Sequence, residues 1–359
     1  MTLVDRYLLR RTVAALLRTV VALLGMYVLV DLLTHRLESV GETPLLIIVQ
    51  YYVCFIPFLL YAYIAPFAVL IAGLLVLGET AQNNEVTALL ASGVSLRRFV
   101  RWPVIAALLF AVGLFAMQET VGAHATRRAH EIENSYFSRN PLAENRGAVS
   151  WSRLSGDWTV LIEKFNRLAL TGEGVHLHSI GQDAVEQIDA RRIFWDESKQ
   201  QWILERGRWL TFPPDVDEVQ TRRISQMPAP FDETPTELFA LEEPADAKTA
   251  AELSADLRAA ELRRRPVQGK WVYYHAKFSQ PAASFVMIFL AVPFAMRLRR
   301  GGLAIGFGMS LAIGIAYLML SNTAVFLGAS GHANPVVAAW LANGVFFILG
   351  VALFFRTPT

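Results

Sequence analysis

Long apolar runs separated by short polar breaks fill the beginning and the end of the chain, while its middle is polar and patterned differently. Six runs are long enough to cross a bilayer as helices: roughly 12–33, 45–77, 99–121, 278–296, 302–327 and 335–355. A hydrocarbon core of about 30 Å takes about 20 apolar residues in helical form. The second run exceeds that and carries Pro44, Pro57 and Pro66, so a kink or an interfacial first part is expected there.

Between residues 122 and 276 the period changes as well as the polarity. Asp157–Phe165, Leu168–Ile180, Ala184–Trp195 and Gln201–Phe212 are rich in Val, Ile, Trp and Phe and partly alternate, which predicts strands. Gly172, Gly174, Gly181, Pro213 and Pro214 supply turn punctuation. Short strands without intervening helices suggest an antiparallel sandwich, barrel or jelly roll. Asp246–Arg265 is Ala- and Leu-rich and reads as a helix leading back to the apolar runs. The expected fold class is a membrane bundle of six helices with an extracytoplasmic, antiparallel, β-jellyroll-like insert between helices three and four. Its divisions are 1–121, 122–276 and 277–359.

Composition sharpens this division. Of the 359 residues 54% are hydrophobic and 18% charged, against about 25% charged in ordinary soluble proteins. The net charge of +2 hides an asymmetry: residues 122–276 hold 20 basic and 24 acidic residues, the remainder 13 and 7. A single cysteine, Cys54, lies within a span, so no disulfide framework exists. The same figures argue against disorder and against a basic nucleic-acid binder.

Arginines flanking the runs set an orientation. Arg6, Arg10 and Arg11 precede the first, Arg97, Arg98 and Arg101 separate the second from the third, Arg297, Arg299 and Arg300 separate the fourth from the fifth, and Arg356 follows the sixth. The other side has Arg36 in its first short loop and no Lys or Arg between residues 328 and 334. Both termini are therefore expected in the cytoplasm and the insert outside. The first run is too long for a signal-peptide core and no convincing cleavage site follows it, so it reads as a retained helix.

Catalytic chemistry finds no support. No G-x-x-x-x-G-K-[ST] occurs, so ATP hydrolysis by this chain is not expected. His130-Glu131 lacks a second His at zincin spacing, and His176 and His178 have no further ligands in sequence, so both read as surface residues. Gly328–His332 does not fit G-x-S-x-G. Arg18 and Asp31 at the ends of the first span, and Glu119 near the end of the third, read as side chains reaching the interface. No acid lies at mid-membrane, which counts against a proton-coupled carrier.

The loop 78–98 carries more information. Glu85–Ala91 reads as a short amphipathic helix ended by Gly93 at C′. Val86, Leu89 and Leu90 form its apolar face, and Glu85 stands exposed at its start. A short helix along the membrane between two spans is something a motor protein can push against; an interfacial anchor is the competing reading.

The stretch N-E-V-T-A-L-L-A-S-G-V-S in this loop resembles the signature of the lipopolysaccharide-export permeases, the LptF/LptG family. Other parts resemble that family in order: Asp5-Arg6-Tyr7-Leu8, the run Pro66–Gly73, Gln280-Pro281, Val292-Pro293 followed by Gly301-Gly302, then Pro335 and Ala339-Trp340-Leu341. The resemblance covers nearly the whole chain; the insert matches by position and strand character only.

This resemblance implies a transmembrane subunit of an ATP-driven ABC exporter in the bacterial inner membrane. It implies a cytoplasmic ABC ATPase dimer as partner, a second related permease subunit or a second copy, periplasmic jellyroll bridge proteins, and lipopolysaccharide as cargo. ATP and Mg enter only through the ATPase, and no cofactor is bound by this chain. Glu85, Val86, Leu89, Leu90 and Gly93 become the ATPase-coupling residues. The cargo occupies a cavity lined by spans one and five, where Gly302, Gly306, Gly308 and Gly314 allow close packing or a shift. Exposing acyl chains costs about 0.8 kcal/mol per CH₂, so such a cavity must be apolar. Headgroup phosphates favour cations near the outer rim, where His35, Arg36, Arg127 and Arg128 are candidates by position, with Asp31 beside them; plain interface anchoring competes. Two other functions stay open: a non-transporting scaffold whose β domain recruits periplasmic partners, and an exporter of a different lipid.

Overall fold

The structure is a computed structural model and describes residues 3–36, 43–137, 147–151, 154–180, 185–212, 219–262, 267–297 and 302–356. Arg299, Arg300, Gly301, Gly181, Pro213 and Pro214, used above, lie outside them. The chain divides into two compact units, one of residues 1–129, 245–254 and 268–359, the other of 130–244 and 255–267. The helical unit thus takes in 122–129, 245–254 and 268–276, which charge alone assigns to the insert.

In the helical unit, α1 is Leu3–Asp31, α2 Leu45–Leu59, α3 Ala65–Gln82, α4 Glu85–Ala91, α5 Leu96–Met117 and α6 Ala123–Ile132. Six helices among the described residues are long and apolar enough to cross a membrane. The second of these runs continuously over Leu45–Gln82. Pro57 lies inside α2 without the N–H for an i−4 bond, and a π-helical stretch, Leu60–Ile64, follows it, closed by the Ala65 amide donating to the Leu60 carbonyl five residues back. The expected kink site is therefore a slip of helical register rather than a break.

After the last strand, α7 is Pro235–Glu242, α8 Ala250–Leu262, α9 Trp271–Arg297, α10 Gly302–Ala329 and α11 Pro335–Phe355. The expected helix 246–265 is shorter, since a 3₁₀ turn at Ala245–Ala247 precedes it and residues 263–266 are not described. The capping box of α7, Thr234 with Glu237, was a legible start signal.

α3 and α9 form the centre of the helical unit. Of their apolar windows 78% and 67% are buried within the chain, against 22% for α1 and for α10. α9 packs on α3, α5 and α11, and α3 lies between α1 and α10. The two central helices approach closely because Gly73 has no side chain: a Cβ there would lie 2.6 Å from Ala291 Cβ. Asn343 on α11 ties three helices through polar bonds, accepting from Tyr317 Oη at 3.0 Å and donating to the Ser279 carbonyl at 2.7 Å.

The β unit is a six-stranded antiparallel meander in the order β1 to β6: Gly147–Trp151, Trp158–Asn166, Thr171–Ile180, Val185–Asp196, Gln201–Phe212 and Gln220–Pro228. The four strands expected from sequence are present; β1 and β6 are additional. Each strand pairs only with its neighbours in sequence, so the antiparallel insert lacks, among the described residues, the crossovers of a jelly roll.

A meander closes on a core only if it curves, and the burial pattern shows where it does. Val160 and Ile162 are buried on β2, but the next buried position is Phe165, an odd step. β4 makes the same switch between Ala190 and Ile193. Lys164, Glu173, Arg192 and Glu205 stand in register across β2 to β5, and each strand has consecutive unburied residues at that line. The left-handed φ of Gly174 (+66°) and Arg206 (+51°) falls on it. The strand register runs unbroken through this line while the buried side changes face, so that Val160, Ile162, Leu177 and Ile188 share one core with Phe165, Ile193, Trp202 and Leu204. α7 adds Leu238 and Phe239 to that core.

Candidate functional site: the loop helix and the α1–α3–α10 cleft

The loop helix stands where the sequence predicts it, Glu85–Ala91. Seven residues cannot sustain a helix alone; its ends and one face are fixed by other means. Asn84 enters it with φ +61°, and Gly93 leaves it with φ +85°. The Gly93 amide donates to the Leu90 carbonyl at 3.0 Å and the Val94 amide to the Leu89 carbonyl at 3.1 Å, the two bonds of a Schellman motif. Gly93 thus holds the C′ position expected of it.

The apolar face is turned inward. Val86 is 2% exposed and belongs to the bundle core, with Leu89 and Leu90 packed partly against it. The face left outward is Thr87, Ala88, Ala91 and Ser92. Of the residues assigned to coupling, Val86 therefore anchors the helix from within. Beside the helix C-terminus a groove of about 600 Å³ runs between residues 93–97 and Phe354-Phe355 of α11.

Glu85 is not a free carboxylate. Its Oε1 lies 3.8 Å from Arg11 Nη1, and Arg11 Nη2 also forms an ion pair with Glu79. Arg11 Nη1 donates to Tyr7 Oη at 2.7 Å. One guanidinium on α1 thus holds the last turn of α3 and the first residue of α4. Arg101 of α5 lies 3.9 Å from Asp5, six residues before Arg11 on α1. Sequence reasoning used Arg11 only as a topology charge and gave Glu79 no role; their ionisable character at span ends was the available signal.

Arg11 and Glu79 line one end of a cleft of about 350 Å³ between α1, α3 and α10. Ala15, Thr19, Leu23, Ile71 and Leu75 make most of its wall and Phe307 closes it. Arg18 also borders it, with Nε turned back to the Ala14 carbonyl at 3.2 Å, the posture of a side chain reaching toward the interface. Of the four span-five glycines, Gly308 has open space where a Cβ would be, whereas Gly314 packs directly on the Phe67 ring. Gly306 is half-buried, and Gly302 is the first residue of α10.

The rim candidates fall into two groups. Asp31, His35 and Arg36 sit together at the end of α1 and its π-helical extension Leu32–Arg36. Asp31 accepts from Tyr52 Oη at 2.8 Å and lies 3.3 Å from His35 Nδ1 and 3.8 Å from Arg36 Nε. Arg36 is 8% exposed, donates to Tyr51 Oη at 2.9 Å and stacks 4.6 Å over that ring. It is a structural clamp on α2 rather than an open cation. Arg127 lies 3.6 Å from Glu252 and donates to the Ala247 carbonyl at 3.4 Å, whereas Arg128 is exposed.

Glu119 does more than reach the interface. Its Oε2 accepts from the Ala250 amide at 2.8 Å and so caps the start of α8, which also has a Thr249–Glu252 capping box. Backbone and side-chain hydrogen bonds from Thr249, with Arg127 nearby, hold the Glu252 carboxyl below its usual range against the opposing effect of burial. On β3, His176 Nδ1 lies 2.7 Å from Asp189 Oδ1 and its Nε2 3.7 Å from Glu163. Among the described residues no three His, Cys, Asp or Glu side chains are placed to hold a metal ion.

Residues 6–356 match the family described as Lipopolysaccharide export system permease LptF/LptG. The chain belongs to that family. A search of curated proteins found no match. As a member of the LptF/LptG permeases it is a multi-pass inner-membrane transport subunit in lipopolysaccharide export, not a catalytic enzyme. The permease segments that carried the resemblance meet in space, since Gly73 ends the Pro66–Gly73 run and packs on Ala291, two residues before Pro293.

Proposed function

We propose that this permease is one half of an ATP-driven exporter that takes lipopolysaccharide from the inner membrane and passes it to a periplasmic β-jellyroll bridge. A separate cytoplasmic ATPase dimer binds ATP and Mg, and a second permease, or a second copy of this one, completes the cavity. In this reading both termini and α4 face the cytoplasm and the β unit faces the periplasm. The observation that carries it is α4: a rigid seven-residue helix between two left-handed residues, anchored by Val86, with the small residues Thr87, Ala88 and Ala91 facing out. A flat, small-residue face suits seating in a partner's groove. The weak coverage of α1 and α10 supports their role as walls of a shared apolar cavity.

The test is reconstitution with the ATPase in vesicles containing lipopolysaccharide. ATP-dependent release of the lipid to an acceptor is expected. Ala88→Arg, with insertion and folding verified, should abolish co-purification of the ATPase. Unchanged assembly and release with that variant would sink this reading.

A further inference from the structure

We propose that Arg11 is the link through which displacement of α4 reaches α1, the helix that walls the cleft. The proposal rests on the reading that a motor drives α4, and deepens it by naming the transmitting residue. α4 is joined to α3 only through Asn83 and Asn84, and the left-handed Asn84 makes that joint a turn rather than a continuous helix. Its far end is joined through Gly93, also left-handed. A helix held this way moves as one body about its buried Val86 contact.

Glu85, its first residue, carries that movement outward. Arg11 meets Glu85 with Nη1 and Glu79 with Nη2, so one planar fork spans the joint between α3 and α4. Tyr7 Oη, accepting from the same Nη1, fixes the plane of the fork. Arg11 is itself part of the cleft lining, together with Glu79. Any shift of Glu85 relative to Glu79 therefore pulls the guanidinium and, through it, the face of α1 that bears Ala15 and Thr19. A bidentate fork is needed because a lysine ammonium is a point charge without fixed geometry.

Two measurements on the full chain, reconstituted with its ATPase, test the link. Spin labels at Leu17 and Ser92, both exposed and the latter outside the small-residue face of Thr87, Ala88 and Ala91, on a Cys54→Ser background report the α1–α4 distance. The unmodified link should give a narrow distribution. Arg11→Gln and Arg11→Lys should broaden it, and the swap Arg11→Glu with Glu79→Arg should restore it relative to Arg11→Glu alone. In vesicles containing lipopolysaccharide, Arg11→Gln should hydrolyse ATP while lipid release falls about three- to thirty-fold, the range of a coupling residue. An unbroadened distance in Arg11→Gln, or a swap no better than Arg11→Glu, overturns the link. So does wild-type release by Arg11→Gln. If the distances respond as expected but the unsubstituted complex releases no lipid, the link stands and the transport reading fails.

Discussion

The Val94 amide reaches back to the Leu89 carbonyl at 3.1 Å, across a Gly93 held at φ +85°. Only a residue free of a Cβ takes that conformation without strain. Gly93→Ala should cost about 1 kcal/mol, confined to this turn. Hydrogen exchange of the amides at the end of α4 should accelerate about five-fold, with little change in the global melting temperature. Unaltered exchange would show that the motif does not limit local opening.

Gly73 and Ala291 mark the close approach of the two central helices. Gly73→Leu must displace Ala291 or Ile288, whose Cδ1 lies 3.0 Å from the position of an added Cβ. Overpacking of about 1–3 kcal/mol or more is expected. A lower thermal midpoint in detergent, with poor yield of folded protein, checks it. Gly308→Ala, where nothing lies within 4 Å of the added Cβ, should leave the midpoint unchanged.

Asn343 is the polar fastening of the C-terminal helices. Asn343→Leu removes both its bond to the Ser279 carbonyl and the acceptor of the Tyr317 hydroxyl. A loss of about 1–2 kcal/mol is expected for such a bond within a membrane bundle. The double variant with Tyr317→Phe should lose less than the sum of the single changes, because the two share one interaction. Strict additivity in denaturation would count against the bond.

Acid should weaken the β unit through Asp189. Partial burial alone would raise this carboxyl, but hydrogen bonds from His176 and Gln187, and the nearby His176 and Arg208 charges, outweigh it and hold the pKa below the ordinary value of 3.8. A lowered folded-state pKa contributes stability above the unfolded value, and that contribution is lost as pH falls through the folded one. Tryptophan fluorescence of wild type and Asp189→Asn, melted over a pH series, should differ near neutrality. The difference should shrink once pH passes below about 3.8. A constant gap down to strong acid would show that Asp189 is not the titrating group.

The expected strands and the observed ones agree to within one residue at every end but the start of β3, and the loop helix has the same bounds in both. Those features rest on period, capping residues and turn residues within a few positions of one another. The strands β1 and β6 escaped notice because they have few apolar residues: Gly147–Trp151 is five residues long, and Gln220–Pro228 has Ile224 as its one buried position. The rim arginines illustrate the opposite failure. Position along a span suggested an open cation at Arg36, but Tyr51 and Asp31 from a neighbouring turn and helix enclose it.

By itself the sequence determined that this protein is a six-span bundle with a β insert and a loop helix, because hydrophobic length and alternation are local properties of the chain. Only the tertiary structure decided that Val86 points inward, that Glu119 caps α8, and that Arg11 joins Glu79 across 68 positions. The physical reason is that a charge finds its partner through the packing of helices far apart in sequence, and no local period records which faces meet.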